Sequence, residues 1–152
     1  MIPRALPLVL VVALTCSFEA SAQDKGYWTP ASSTANAITG DLALYKDRIT
    51  INFLSFPIVK AKDLAPAEVA SVFDADVNAG VAGVLYHLNI PAAQRFLHKN
   101  TLCGSENAQW MATYATGRTL QVAFFSGTNT PAFTFEAVRN SPDLCGTFTY
   151  GR

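Results

Sequence analysis

The residues of this chain that could do chemistry are few. Asp74, Asp76 and Asn78 place oxygen ligands at the first, third and fifth positions of a segment that resembles a calcium loop. An EF-hand loop also needs glycine at its sixth position and glutamate at its twelfth, where this sequence has Ala79 and Leu85. Because Asp and Asn also favour turns, the segment is predicted to be a turn after a helix. We expect no bound metal and no cofactor.

Nucleophilic and acid–base patterns are equally sparse. His87 and His98 are the only histidines, and neither lies next to another metal-ligating residue. Ser126 precedes Gly127 but lacks the leading glycine of a nucleophile elbow, so a serine triad would have to recruit a histidine across space. The nine glycines form no phosphate-binding loop. We therefore predict a non-enzymatic protein with no catalytic residues, and keep a hydrolase with a spatially assembled site as a third hypothesis.

The first 22 residues have the composition of an export signal. Arg4 supplies a positive start, residues 6–14 supply an apolar core too short to span a bilayer, and Ala20-Ser21-Ala22 supplies a small-residue cleavage site. A competing interpretation, lipidation of Cys16, fits the preceding Ala13-Leu14-Thr15 poorly. We predict cleavage after Ala22, a periplasmic or secreted location, and no membrane span after signal removal.

The predicted export determines which cysteines remain and whether they can form a disulfide. Removal of the signal takes away Cys16 and leaves Cys103 and Cys145, each inside a Leu-Cys-Gly tripeptide. Two cysteines in an oxidising compartment allow one pairing, and closing a loop of this length stabilises a protein by roughly 4 kcal/mol. Redox-active pairs usually lie two residues apart. The sequence therefore predicts one structural disulfide, Cys103–Cys145.

Charge gives no indication of an electrostatic partner. The chain has eleven basic and eleven acidic residues, and removal of the signal takes away one of each, Arg4 and Glu19. A nucleic-acid binder normally carries a basic stripe with positive net charge, and a binder of anionic membranes carries a basic amphipathic helix. Neither feature is present in the sequence, so we expect no nucleic-acid partner.

The hydrophobic pattern is that of strands. Apolar residues alternate with polar ones at a period of two in several segments, and only Ala65–Asp74 has helical spacing. We predict a mainly β domain over residues 37–152, a small antiparallel barrel or sandwich of six to eight strands with one short helix and one disulfide. Residues 23–36 are rich in Ser, Thr, Ala and Gly and are predicted to be a flexible leader. The predicted strand faces include Ile49, Ile51 and Phe53, and Leu120, Val122 and Phe124.

Phe125 is the aromatic residue with the most informative position. If Phe124 points into the core, strand alternation directs Phe125 outward or into a second layer. An exposed Phe125 beside Ser126 and Gly127 would form a contact patch, whereas a covered one would be part of the core. Both interpretations are open from the sequence.

Four segments carry a family resemblance. Thr101–Gly104, Trp110–Ala112, Ala123–Gly127 and Asp143–Tyr150 resemble the corresponding parts of a group of small exported bacterial proteins without an assigned function. The resemblance covers most of the chain after the signal. It implies no catalytic or binding residue.

Two functions from different classes fit these observations. In the first, the protein is an interaction module that binds a protein or envelope component, whose identity is unknown, through an exposed loop or edge such as Gly127–Asn140. In the second, it carries a small apolar ligand inside a lipocalin-like barrel. The many large inward side chains would fill a barrel of this size, which favours the first.

Overall fold

The computed structural model describes residues 23–76 and 83–152, which form a closed eight-stranded barrel. The predicted signal over residues 1–22, and part of the calcium-like segment, lie outside the described residues. The elements in chain order are β1 (Gly26–Pro30), α1 (Ser33–Ile38), β2 (Leu42–Leu44), β3 (Arg48–Ile51), β4 (Leu54–Leu64), α2 (Pro66–Val72), β5 (Gly83–Ile90), a 3₁₀ turn (Leu97–Lys99), β6 (Ala108–Thr116), β7 (Thr119–Phe125), α3 (Phe135–Arg139) and β8 (Leu144–Gly151). The mainly β prediction is confirmed, as a barrel and not a sandwich.

The strands follow one another around the barrel in chain order. Each strand pairs antiparallel with the next, and β8 pairs with β1 to close the sheet. Connections therefore alternate between the two ends. We call the end with the β1–β2, β3–β4, β5–β6 and β7–β8 connections the upper end. The lower end has the other three connections together with Gln23 and Arg152.

Large apolar side chains fill the barrel interior. They come from alternate positions of the strands, because successive side chains of a strand point to opposite faces. The interior residues with at most 1% exposure include five aromatic ones, Trp28, Tyr86, Phe124, Phe148 and Tyr150. At the upper end, Ala35 of α1 and Phe96 and Leu102 of the β5–β6 connection join this core.

A second apolar layer lies outside strands β5, β6 and β7. Helices α2 and α3 cover it. The N-terminus of α2 is fixed by Pro66 in its first turn and by Glu68, whose carboxylate accepts a hydrogen bond from the Ala65 backbone N–H at 3.1 Å. The Thr134 hydroxyl caps α3 by accepting from the Ala137 backbone N–H at 3.2 Å. The second-layer residues are Leu64, Val69, Phe73, Leu85, Trp110, Ala112, Tyr114, Ala123, Phe125, Phe133 and Val138.

The predicted flexible leader is wrong. Residues 23–36 contain β1, which pairs with both β2 and β8, and most of α1. Trp28 is fully buried, its indole N–H donates to the Asp24 carbonyl oxygen at 3.0 Å, and the Arg152 guanidinium lies 4.0 Å from its ring centroid. The segment is ordered because strands later in the sequence pair with β1 on both sides and the barrel core encloses Trp28.

Two other expectations need correction. The described residues contain three short α-helices and not one, because α1 and α3, with six and five residues, are too short to show a helical period. Phe53 does not continue the inward face of β3, since it lies in a turn and is 86% exposed. No helix among the residues described is long and apolar enough to cross a membrane.

Candidate functional site

The predicted disulfide is present. Cys103 and Cys145 are bonded, with their Cα atoms 4.9 Å apart. Cys103 lies in the β5–β6 connection and Cys145 near the start of β8. The bond therefore joins two parts of the upper end that are not neighbours along the sheet.

Phe125 belongs to the second layer. It is 1% exposed, and its ring meets the ring of Phe133 edge to face, with centroids 5.9 Å apart. It points away from Phe124, as the alternation predicts. Because Phe133 and α3 cover it, Phe125 is not an exposed contact patch.

The residues considered for catalysis are dispersed. His87 is exposed on β5 and meets the Trp110 ring, with centroids 4.8 Å apart, and His98 is exposed in the β5–β6 connection. The Ser126 hydroxyl lies 3.4 Å from the carbonyl oxygen of Asp143 and is not bonded to a histidine. Within residues 23–76 and 83–152, no cluster of three His, Cys, Asp or Glu side chains could hold a metal ion. The absence of enzymatic activity stays a prediction.

The turn between β3 and β4 has an unusual residue at its apex. Ile51 pairs with Leu54, so the loop contains two residues, Asn52 and Phe53. Both have positive φ, 44° and 67°, as a type I′ turn requires. Asparagine tolerates this conformation, and glycine normally occupies the second position, whereas a bulky residue there is a backbone outlier. Each residue with a Cβ in the left-handed region costs roughly 1–2 kcal/mol.

The same conformation occurs a second time at the upper end. In the β5–β6 connection, His98 and Lys99 have φ of 53° and 59°. The Asn100 backbone N–H closes this turn by donating to the Leu97 carbonyl oxygen at 3.0 Å. It is a second left-handed turn without glycine. The four residues of the two turns are all the non-glycine residues with positive φ in the described chain.

The two turns meet at Gly40. A Cβ placed on Gly40 would lie 3.1 Å from Leu97 Cδ1 and 3.6 Å from Asn52 Oδ1, so both turns pack against its backbone. Glycine suits this place, since its φ is +62°. We give the name rim patch to five residues in or beside the two turns. Leu97 is half-buried and the other four are exposed: Phe53, Leu54, His98 and Lys99.

Contacts beneath the rim patch hold it in position. The Phe56 and Phe96 rings meet edge to face with centroids 6.1 Å apart, which joins β4 to the β5–β6 connection. The Asn52 backbone N–H donates to the Asp41 carbonyl oxygen at 2.9 Å. The Asn100 side-chain amide donates to the Ala37 carbonyl oxygen at 3.1 Å. The side chains of the patch therefore project from a fixed backbone.

Sequence reasoning missed the rim patch. Ile49, Ile51 and Phe53 are spaced two residues apart, so the sequence pattern predicts that the strand continues to Phe53 and gives no indication of a turn there. The available signal was Asn52, because asparagine is favoured at the first position of a type I′ turn. The usual glycine partner is missing, and Lys99 likewise stands where glycine would mark the second turn.

A cleft of about 370 Å³ lies in the β7–β8 connection, the region of the predicted contact loop Gly127–Asn140. Phe125 contributes to its floor, and amide, hydroxyl and carboxylate groups contribute to its walls. Its lining consists of Phe125, Asn129, Thr130, Pro131, Ala132, Ala137, Asn140, Ser141, Pro142 and Asp143. A role of this loop in contact stays a prediction.

A buried polar cluster closes the lower end. The Asp24 carboxylate is 3% exposed as a residue and accepts hydrogen bonds from the Tyr86 hydroxyl at 2.7 Å, the Thr113 hydroxyl at 2.9 Å and the Lys25 ammonium at 3.0 Å. Burial, and then the hydrogen bond to Asp24, raise the pKa of Tyr86 far above its ordinary value. Since each of these groups has a partner, the cluster is satisfied within the fold.

Comparison with known proteins gives no match to this chain, whether among protein families, curated proteins or solved structures.

Proposed function

We propose that this protein is a non-enzymatic interaction module of the cell envelope or exterior, and that it binds a partner through the rim patch. The observation that carries the proposal is Phe53, an aromatic side chain 86% exposed on left-handed backbone. An exposed Phe side chain gains little free energy from packing. Its Cβ also makes the left-handed backbone conformation of this turn unfavourable. Strained residues of this kind cluster at binding sites, where the strain holds a side chain in place.

The interior of the barrel favours this function over that of a carrier. An eight-stranded antiparallel barrel is the general architecture of lipocalin-like carriers. A carrier needs space inside, whereas Trp28, Tyr86, Phe124, Phe148 and Tyr150 occupy the interior with at most 1% exposure each. A ligand could enter only by displacing side chains that are packed at the density of a core.

Replacement of Phe53 with glycine tests the proposal without damaging the fold. Asn-Gly is the preferred sequence for this turn, so Phe53→Gly should fold at least as well as the parent protein. Parent and variant proteins would be immobilised, exposed to an extract of the cells that produce the protein, and compared by mass spectrometry of the retained species. We expect a partner retained by the parent protein and lost with Phe53→Gly.

Phe135 provides the matched control. It is 71% exposed at the start of α3, outside the rim patch, and its φ is not positive. Phe135→Ser should retain the same partner, which separates a specific contact from general adhesion of exposed rings. Retention that is independent of Phe53 would contradict the proposal. So would a discrete small-molecule adduct in the native mass spectrum, which would favour the carrier.

A further inference from the structure

We infer that the partner of the rim patch is a protein segment that combines apolar side chains with a carboxylate, the apolar part meeting Phe53 and Leu54 and the carboxylate meeting Lys99. This inference rests on the proposed function and adds the chemistry of the partner. It follows from the charges of the patch and from the fixed geometry of its backbone.

The ammonium of the rim patch, that of Lys99, lacks a counter-ion among the described residues. Lys25, Lys60 and Lys62 each pair with a carboxylate at 3.0 Å or less. Lys99 is exposed and forms no ion pair with any described residue.

The nearby carboxylate of Asp41 is already engaged. It accepts a hydrogen bond from the Tyr27 hydroxyl, and this bond raises the pKa of Tyr27. The two turns pack against the same glycine, and one carries an ammonium while the other carries exposed Phe and Leu side chains. This combination is complementary to a segment with a carboxylate and apolar groups.

The backbone of the patch favours a protein over a lipid surface. A fluid membrane accepts an apolar side chain in many orientations, so it gives no advantage to a residue fixed in an unfavourable conformation. A protein surface has a fixed shape, and an aromatic side chain held in advance loses less conformational freedom on binding. Two left-handed turns braced against Gly40 supply such a fixed arrangement.

A phage library of disulfide-constrained random peptides, selected on the parent protein, tests the inference. We expect enriched peptides to combine Asp or Glu with Leu, Ile or Phe. A synthetic peptide from the selection should bind at least tenfold more weakly to Phe53→Gly and to Lys99→Glu. Replacing its acidic residue with lysine should restore binding to Lys99→Glu, because the charge pair is then reversed.

Lys46 is the matched control. It is exposed in the β2–β3 connection at the lower end and forms no ion pair with any residue of the described chain. Lys46→Glu changes the net charge by the same amount as Lys99→Glu. Binding of the peptide to Lys46→Glu should stay within twofold of the parent value.

The remaining outcomes are distinguishable. Peptides that depend on Phe53 but carry no acidic residue and ignore Lys99→Glu would overturn the acidic partner and leave the proposed function intact. A selection without any binder sensitive to Phe53 or Lys99 would overturn both.

A separate assay uses vesicles of equal parts phosphatidylglycerol and phosphatidylcholine. Binding of the parent protein to them that is lost with Lys99→Glu would overturn the inference in favour of a lipid surface.

Discussion

Two hairpins of this barrel have loops of two residues, and they form their tight turns with different residue types. At the lower end, β6 and β7 are joined by Gly117 and Arg118, and only Gly117 has positive φ, +57°. A Cβ on Gly117 would meet nothing within 4 Å, so glycine is there for its backbone and not for space. At the upper end, β3 and β4 are joined by Asn52 and Phe53, without glycine. The comparison teaches that the chain uses the favourable residue where a turn only connects strands.

The two ends are also closed by different forces. The disulfide ties the β5–β6 connection, which contains the His98–Lys99 turn, to the start of β8. The lower end has no covalent tie among the described residues, and the hydrogen-bonded Asp24 carboxylate closes it. The disulfide and the Asp24 carboxylate can each be removed by substitution. Comparing the two variants shows whether the order of the strained turns at the upper end requires the disulfide.

Removal of the disulfide should have the largest effect. For Cys103→Ser with Cys145→Ser, we expect the free energy of unfolding to fall by roughly 4 kcal/mol, because a long loop regains its freedom in the unfolded chain. Urea denaturation measures the loss. Amide hydrogen exchange should rise most in residues 91–107, which contain the second left-handed turn, and least in the β6–β7 hairpin.

The double serine variant has a simple internal control. Reduction of the parent protein with dithiothreitol should give the same midpoint of denaturation as the variant, since both lack the bond. An unchanged midpoint in both samples would show that packing alone holds the upper end. The contrast in closure between the two ends would then be lost.

Removal of the Asp24 carboxylate should destabilise the lower end by about 3 kcal/mol. Asp24→Ala leaves the buried hydroxyls of Tyr86 and Thr113 without the carboxylate that accepts from them, and it removes the ion pair of the half-buried Lys25. Asp24→Asn keeps an acceptor oxygen and should lose less. Thermal denaturation followed by circular dichroism measures both variants.

Asp47 is the control for this experiment. It is an exposed carboxylate in the β2–β3 connection, 3.9 Å from the Arg48 guanidinium. Asp47→Ala should change the free energy of unfolding by less than about 0.5 kcal/mol, as surface substitutions usually do. Equal losses for Asp24→Ala and Asp47→Ala would contradict a structural role for the buried cluster.

Much of the barrel could be predicted from the sequence, because its interior positions share a period of two. Leu120, Val122 and Phe124 are inside as predicted, and the disulfide follows from counting cysteines. The missed strand β1 has no alternation of its own. Trp28 is buried against Arg152 and against core residues of later strands, which the local sequence does not show.

The candidate site was less predictable than the fold for a physical reason. Turn chemistry is recognised by glycine, and the two turns of the rim patch have Phe53 and Lys99 at the positions where glycine is expected. From the sequence, Phe125 was the candidate for an exposed contact patch because it is an aromatic residue on the outer face of its strand. Sequence alternation gives the face correctly, but it does not show that Phe133 and α3 cover that face.

Alkaline pH should destabilise the protein through two buried phenols. Burial raises the pKa of Tyr86, at the lower end, and of Tyr150, whose hydroxyl lies 2.6 Å from that of Thr39 in the β1–β2 connection. A group whose pKa is raised on folding contributes stability that is complete below its unfolded pKa, about 10 for tyrosine, and is lost as pH rises further. The melting temperature should therefore fall above about pH 10. Tyrosinate absorbance from all five tyrosines while circular dichroism remains native would contradict this expectation.

The smallest effect, and the most direct test of the two hairpins, comes from exchanging their turn chemistry. Phe53→Gly should raise the free energy of unfolding by about 1 kcal/mol, because glycine adopts positive φ without a Cβ clash. Gly117→Ala should lower it by about 1 kcal/mol for the same reason. Urea midpoints at constant slope measure both changes.

Phe53→Ala separates the effect of the backbone from that of the ring. It removes the aromatic group but keeps the Cβ, so it should bring little gain in the free energy of unfolding. A gain equal to that of Phe53→Gly would assign the penalty to the exposed ring, and a loss of stability in Phe53→Gly would show that the ring makes stabilising contacts and that the turn is not strained.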